Sequence, residues 1–180
     1  MSLKITAAET QKQINKIYEL YMNAFPEIER KPFSFLLDKQ KDKSVDLLYI
    51  ENDIDEFVGE AISVKYKDMI LLDYFAMDSQ KRGNGYGSQA LKLLIERYSE
   101  KRFILEIERD DVECENLEQR KRRKKFYLKN GMKLMNFNVN LFGEEMNILT
   151  YNCRVTFEEY HSIYKNVFGD KYANKVVLVK

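Results

Sequence analysis

The stretch DYFAMDSQKRGNGYGSQAL, Asp73–Leu91, reads as a strand running into a short polar turn, then a run of glycines, then a helix. Three of the chain's seven glycines, Gly83, Gly85 and Gly87, fall within five residues. Glycine has no Cβ, so such a turn lets the main chain approach an anion closely. The first N–H groups of the following helix have no acceptor inside it and point outward. The helix dipole adds about 0.3–1 kcal/mol for a negative charge placed there. Arg82 offers a forked cation suited to phosphate. The segment is a candidate diphosphate site, its contacts supplied by Arg82 and by the amides of Gly83, Asn84, Gly85, Tyr86, Gly87 and Ser88.

Upstream of this turn, residues 69–77 are apolar nearly throughout, as expected of a central strand covered on both faces. Residues 57–66 alternate, with Val58, Ile62 and Val64 on one side, and residues 45–50 form a strand before a turn at Asn52 and Asp53. Residues 2–6 read as a short strand. Thr6 and Glu9 have the spacing of a capping box that opens a helix, with Ile14, Ile17, Tyr18, Tyr21 and Phe25 on one face and Pro26 at its end. A loop carrying charge between aromatics leads to a short helix ending near Lys41.

Downstream, Ala90, Leu91, Leu94, Ile95 and Tyr98 form the buried stripe of the helix after the glycines. A strand at 103–108 and an acidic stretch lead into a basic helix, about 116–130, ended by Asn130 and Gly131. Strands at 132–141 and 145–151 join at Gly143. Thr156 and Glu159 form a second capping box, opening a helix to about Phe168, and residues 176–179 close the chain as a last strand. Only one crossover has the form of a parallel βαβ unit. The order predicts an α/β (α+β) fold: a single mixed, mostly antiparallel sheet flanked by helices.

Composition narrows the function. Of the 180 residues, 44% are hydrophobic and 33% charged, enough for a packed core and unlike a disordered chain. Thirty basic against 29 acidic residues leave a net charge of +1, which argues against nucleic-acid binding by bulk charge. Two cysteines, Cys114 and Cys153, and one histidine, His161, exclude a disulfide scaffold and count against a zinc site or a histidine triad. No run approaches the roughly 18 apolar residues of a membrane span. The N-terminal MSLKITAAET lacks a signal-peptide core, so a cytoplasmic protein without membrane contact is expected.

Two ligand classes compete for the glycine turn. Gly85-x-Gly87-x-x-Ala90 fits the dinucleotide fingerprint, and Glu106 lies about 20 residues on, where a ribose-binding acid belongs. That fold needs two βαβαβ halves, and the chain supplies a meander before the turn and a helix and hairpin after it. Arg82-x-x-Gly85-x-Gly87 instead resembles the pyrophosphate pattern of the GNAT acetyltransferase superfamily. The resemblance extends upstream to Tyr74–Met77, similar to the strand that family pairs with the pantetheine arm of coenzyme A. It extends downstream to Phe126-Tyr127…Gly131-Met132, similar to the family's F-Y-x-x-x-G-F motif with Met132 in the place of the last Phe. The two motifs stand at about the family's usual separation, and the element order matches over residues 3–151.

The resemblance implies an N-acetyltransferase domain over residues 1–151, with 152–180 as a helix and strand extension of the same domain. It implies acetyl-CoA as cosubstrate, no metal, and direct attack by an amine in a ternary complex. Phe75, Ala76 and Met77 would run beside the pantetheine, and Tyr127 would protonate the departing thiolate. An amine must lose a proton to attack. Asp73, an acid inside an apolar strand, is one candidate base; Glu106 and Glu108, on one face of the next strand, are the others, with a solvated edge as the ordinary alternative. Glu29 in the 26–32 loop and Glu108 are candidate contacts for the acceptor, a small-molecule or protein amine. Cys114 and Cys153 offer no convincing nucleophile.

The six consecutive cations Arg120–Lys125 follow a stretch with seven acids between Glu106 and Glu118, so local neutralisation is expected. A non-catalytic module binding coenzyme A or nucleic acid on the same fold is the competing functional class. Residues 144–180 are a candidate homodimer contact.

Overall fold

The computed structural model describes residues 2–111 and 113–179; Met1 and Lys180, the outer limits of the expected domain and extension, lie outside it. The strands are β1 (Leu3–Ala7), β2 (Val45–Asn52), β3 (Phe57–Tyr66), β4 (Met69–Met77), β5 (Arg102–Glu108), β6 (Lys133–Leu141), β7 (Glu144–Tyr151) and β8 (Val176–Val179). The helices are α1 (Gln11–Ala24), α2 (Phe33–Lys41), α3 (Tyr86–Arg97), α4 (Leu117–Lys129), α5 (Phe157–Ile163) and α6 (Asp170–Ala173), with a π turn at Tyr164–Phe168. Hydrogen bonding orders the strands β1-β2-β3-β4-β5-β7-β6-β8 in one mixed sheet flanked by helices, the predicted fold class. The chain also divides into two compact units. One comprises the chain up to Lys65 with Leu72–Arg97; the other comprises Tyr66–Leu71 with the chain from Tyr98 onward.

In the first unit β1 and β2 pair antiparallel, Thr6 opposite Tyr49, and β2 and β3 pair antiparallel, Tyr49 opposite Glu60, with a register shift at Ile50 and Glu51. Val58, Ala61, Ile62 and Val64 of β3 are wholly buried, as are Leu47, Leu48 and Ile50 of β2. Residues 58–64 of β3 are all buried, so this strand is covered on both faces and not only on the one that its alternation predicts. In α1 only Ile17 and Tyr21 of the expected stripe are buried, and Tyr18 is 45% exposed against the ring of Phe33. Ala90, Leu91 and Leu94 form the buried face of α3 as expected, with Ile95 at its edge.

The first capping box is misplaced in the sequence expectation. Thr6 stays in the β1–β2 ladder, which continues through Ala7 opposite Leu48 and a bond from Ala8 N–H to the Leu47 carbonyl (2.8 Å). The cap passes to the next threonine. Thr10 Oγ1 accepts from Gln13 N–H (3.3 Å), and Gln13 Oε1 accepts from Thr10 N–H (3.1 Å). The second box, Thr156 with Glu159, forms as expected.

In the second unit β5 pairs with β7, β7 with β6, and β6 with β8, all antiparallel. Helix α4 buries only Tyr127, since most of its other side chains are charged. Its Asn130–Gly131 end forms as expected, with Gly131 in the left-handed region (φ +87°).

Candidate active site

Within the first unit, β4 leads directly into the glycine turn. Asp78 opens it, its Oδ1 accepting from Gln80 N–H (2.9 Å), and Lys81 pairs with Glu56 (2.6 Å). Gly83 (φ +89°) and Gly85 (φ +76°) adopt the left-handed conformation, and a Cβ on either would meet open space. Gly83, Asn84 and Gly85 are exposed. Among the described residues, no backbone carbonyl accepts from the amides of these three. The first bond of α3 runs from Gln89 N–H to the Gly85 carbonyl (3.2 Å), so its first-turn amides point out of the helix N-terminus. Outward donors on a backbone without Cβ atoms suit a diphosphate. Arg82 is exposed, and its Nε donates to the Met77 carbonyl (3.4 Å).

On β4 itself Ala76 is buried, while Phe75 and Met77 are half-buried. Strand β3 approaches closely here because Gly59 has no side chain: a Cβ there would lie 2.6 Å from the Ala76 carbonyl oxygen. Asp73, two residues before Phe75, is held by a residue that no sequence motif marks. Lys31 Nζ lies 2.9 Å from its Oδ1 and 2.8 Å from its Oδ2, and the two side chains are 3% and 2% exposed. The Lys31 main chain is fixed as well. Its N–H donates to Tyr74 Oη (3.1 Å), and its carbonyl accepts from Tyr21 Oη (2.9 Å). Tyr74 Oη in turn donates to the Glu29 carbonyl (2.7 Å), so Glu29 meets this cluster through its main chain. Burial holds the Tyr21 hydroxyl well above its ordinary range, keeping it a donor.

In the second unit Tyr127 is buried beside Phe126, ring centroids 5.1 Å apart. Burial pushes its hydroxyl up to about 12, against a smaller opposite effect of Arg123, so it carries its proton at neutral pH. Glu106 and Glu108 do not form a solvated edge. Glu106 accepts hydrogen bonds from Tyr160 Oη and Tyr164 Oη (2.6 Å for the latter), both tyrosines fully buried. Glu108 is 5% exposed and bonded to Arg123, with Arg120 at 4.0 Å. Arg120 also reaches Glu144 (3.3 Å), Lys121 reaches Glu118 (3.1 Å) and Lys124 reaches Asp110 (2.6 Å). Much of the basic run is thus neutralised locally, as expected. Burial raises the Cys153 thiol, which suits a packing residue better than a nucleophile.

The sequence model of the acetyltransferase (GNAT) family matches residues 14–132, which include Asp73, the glycine turn and Tyr127. The chain belongs to the acetyltransferase (GNAT) family. No curated protein matches it. Among solved structures, a putative GNAT acetyltransferase from Bacteroides thetaiotaomicron is similar at 21% identity and a TM-score of 0.75, covering 92% of this chain and 98% of that one. A spermidine N-acetyltransferase from Vibrio cholerae, solved with CoA and spermine, is similar at 10% identity and a TM-score of 0.65, covering 83% and 94%. The ribosomal-protein-S18-alanine N-acetyltransferase from Escherichia coli is similar at 16% identity and a TM-score of 0.62, covering 86% and 96%. These likenesses show the GNAT fold.

As a GNAT member the chain is an acetyl-CoA-dependent acetyltransferase, and the dinucleotide alternative falls away: Glu106, its ribose-binding acid, is taken up by Tyr160 and Tyr164. Asp73, Phe75–Met77 and the turn from Arg82 to Ser88 follow one another along β4 and the start of α3. Lys31 and its partner Tyr21, which surround the candidate base Asp73, are marked by no motif, and Tyr74 was read only as part of the Tyr74–Met77 strand. The 26–32 loop was legible as charged, but no local pattern says which of Glu27, Glu29, Arg30 and Lys31 turns inward. Among the described residues no group of three His, Cys, Asp or Glu side chains could hold a metal ion, and no helix is long and apolar enough to cross a membrane.

Proposed function

We propose that the chain transfers the acetyl group of acetyl-CoA to a primary amine by direct attack within a ternary complex. The observation that carries this reading is the turn of positive-φ glycines whose amides face solvent at the head of α3. Acetyl-CoA supplies an activated acyl group on a thiol leaving group. Gly83, Asn84, Gly85, Tyr86, Gly87 and Ser88 hold its diphosphate through main-chain amides, and Arg82 adds charge. Phe75, Ala76 and Met77 present β4 backbone to the pantetheine, and the Met77 N–H polarises the thioester carbonyl. Tyr127, protonated at neutral pH, gives its proton to the departing sulfur. Asp73 takes the proton of the attacking amine. It is preferred to Glu106 only because it lies on β4, the strand proposed to carry the pantetheine; Lys31 fills its two oxygens as Tyr160 and Tyr164 fill those of Glu106. Glu29 and Glu108 are weaker candidates for acceptor contacts, since Glu29 meets the Asp73 cluster through its carbonyl and Glu108 is taken up by Arg123.

The acetyltransferase domain would be residues 1–151, with 152–180 its extension, in a cytoplasmic protein. A homodimer contact would lie in 144–180, where Val177 and Leu178 of the edge strand β8 are exposed. The test is the melting temperature with and without acetyl-CoA, followed by thiol release across an amine panel containing spermidine and an alanine-bearing peptide. Acetyl-CoA should raise the melting temperature, and Gly85→Val, strained at φ +76°, should abolish that rise. A rise that survives Gly85→Val would move the phosphate site elsewhere. A rise without thiol release from any amine would favour a binding module over an enzyme.

A further inference from the structure

The second unit carries a groove that no step of the proposed reaction uses. It has a volume of about 940 Å³ and is lined by the start of β6, Lys133–Phe137, and by the loop 152–157. The strand pairing explains why it exists. Leu134 stands opposite Leu149 and Asn138 opposite Asn147, so Met135, Asn136 and Phe137 are set against Ile148 alone and bulge out of the ladder. β8 pairs with β6 over Asn138–Leu141, so among the described residues the bulge has no strand partner on that side. The facing wall is held in place. Thr150 Oγ1 donates to the Cys153 carbonyl (2.7 Å), Arg102 Nη1 donates to the Arg154 carbonyl (3.2 Å), and Thr156 closes its capping box with Glu159. Phe137 meets Phe157 edge to face, ring centroids 6.3 Å apart. A cleft whose walls are fixed before anything enters it is the usual form of a small-molecule site.

The lining has two parts. Leu134, Met135, Phe137, Val155 and Phe157 give it an apolar body, and Lys133 and Arg154 give it two cations. The cations stand at one end of the β6–β7 pair, because Lys133 is opposite Thr150, shortly before Arg154 in the chain. The lining acid, Glu159, is already bonded to Arg102 (2.9 Å), which also holds Asp68 (2.8 Å). Among the described residues neither Lys133 nor Arg154 has an ion-pair partner. We propose that this groove binds a medium-chain fatty acid, its carboxylate between Lys133 and Arg154 and its alkyl chain along the bulge of β6. Charge chooses the head: two unpaired cations favour an anion, and the guanidinium fork of Arg154 matches a carboxylate. The apolar wall chooses the tail. An alkyl chain covers Leu134, which is exposed in the free chain, and the unbranched Met135 side chain adapts to it. The groove shares no residue with the glycine turn, β4 or Tyr127, so it stands independently of the acetyl-transfer reading.

The experiment uses the full chain carrying Cys114→Ser, which leaves Cys153, a groove residue, as the sole cysteine. Labelling of Cys153 by a neutral maleimide is followed with and without decanoate, beside a calorimetric titration of the same protein. Decanoate should bind, and should slow the labelling of Cys153 in proportion to its occupancy. Octanoate should bind more weakly, by up to about fourfold for each methylene removed. Decylammonium, the same chain with the opposite charge, should neither bind nor protect. Lys133→Gln with Arg154→Gln should weaken decanoate by about tenfold or more, through loss of hydrogen bonds from charged donors. Leu134→Glu, at an exposed position, should weaken it as well by setting an acid beside the tail. Absence of decanoate binding overturns the proposal, as does equal protection by decanoate and decylammonium. Binding that is unchanged in both the Lys133→Gln, Arg154→Gln protein and the Leu134→Glu protein overturns it too. Labelling that slows as protein concentration rises, and not with decanoate, puts a second copy of the chain in the groove in place of the fatty acid.

Discussion

A Cβ on Gly59 would lie 2.6 Å from the carbonyl oxygen of Ala76 and within 2.9 Å of the Met77 side chain. The nearest contact is backbone, so a larger residue must push the two strands apart. Gly59→Ala should therefore destabilise the chain by about 1–3 kcal/mol. Its effect on acetyl-CoA affinity should exceed what the lost stability explains, because the displaced backbone is the part proposed to face the thioester. Denaturant unfolding and acetyl-CoA titration separate the two. Wild-type affinity in a destabilised Gly59→Ala would show that the Ala76–Met77 backbone is not in the cofactor cleft.

Tyr127→Phe should lower kcat by about a hundredfold, the low end for removal of a general acid, and leave acetyl-CoA binding nearly intact. Because burial holds the hydroxyl at about 12, the wild-type rate should show no alkaline loss from this group until the pH nears that value. Equal losses in binding and turnover would mark Tyr127 as a packing partner of Phe126. Rate and thermal-shift measurements on one preparation decide between them.

Much of this fold was legible because most of its elements are long and strongly patterned: β4 as a buried run, β3 by its alternating apolar residues, α3 by its stripe, and α4 by its Asn130–Gly131 end. What failed was local choice between similar signals. Thr6 and Thr10 both sit three residues before an acid or amide, and the ladder to β2, which is nonlocal, decides between them. The glycine turn was legible because positive φ leaves a residue-type signature. The Lys31–Asp73 pair was not, because its members are 42 positions apart and a lysine between Arg30 and Pro32 looks like any surface cation. The same limit hid the tyrosine partners of Glu106, which come from 54 and 58 positions away.

Those partners make Glu106 a test of structure against chemistry. Glu106→Ala removes the acceptor of two buried hydroxyls, and each stranded group costs about 1–3 kcal/mol. Glu106→Gln keeps an acceptor oxygen and should recover much of the loss. If Glu106 served as the base, Gln would be as inactive as Ala. If it anchors Tyr160 and Tyr164, as the hydrogen bonds argue, Glu106→Gln should keep most of kcat while Glu106→Ala melts earlier.

Glu60 gives a prediction with a definite pH sign. It is wholly buried on β3, and neither carboxyl oxygen has a hydrogen-bond partner among the described residues. Burial alone raises its pKa well above the ordinary carboxyl value. An acid raised by folding contributes stability that is complete below its unfolded pKa, about 4.3, and is lost as pH climbs toward the folded value. Stability should therefore fall across that window by up to about 1.4 kcal/mol per pH unit. Glu60→Leu, which removes the titrating group and both stranded oxygens, should be the more stable protein at neutral pH, with a margin that widens as pH rises above the unfolded pKa toward the raised folded one. Urea unfolding of both proteins across that range measures the margin. A margin independent of pH would mean that Glu60 does not take up a proton on folding, and so has a partner or solvent access in solution.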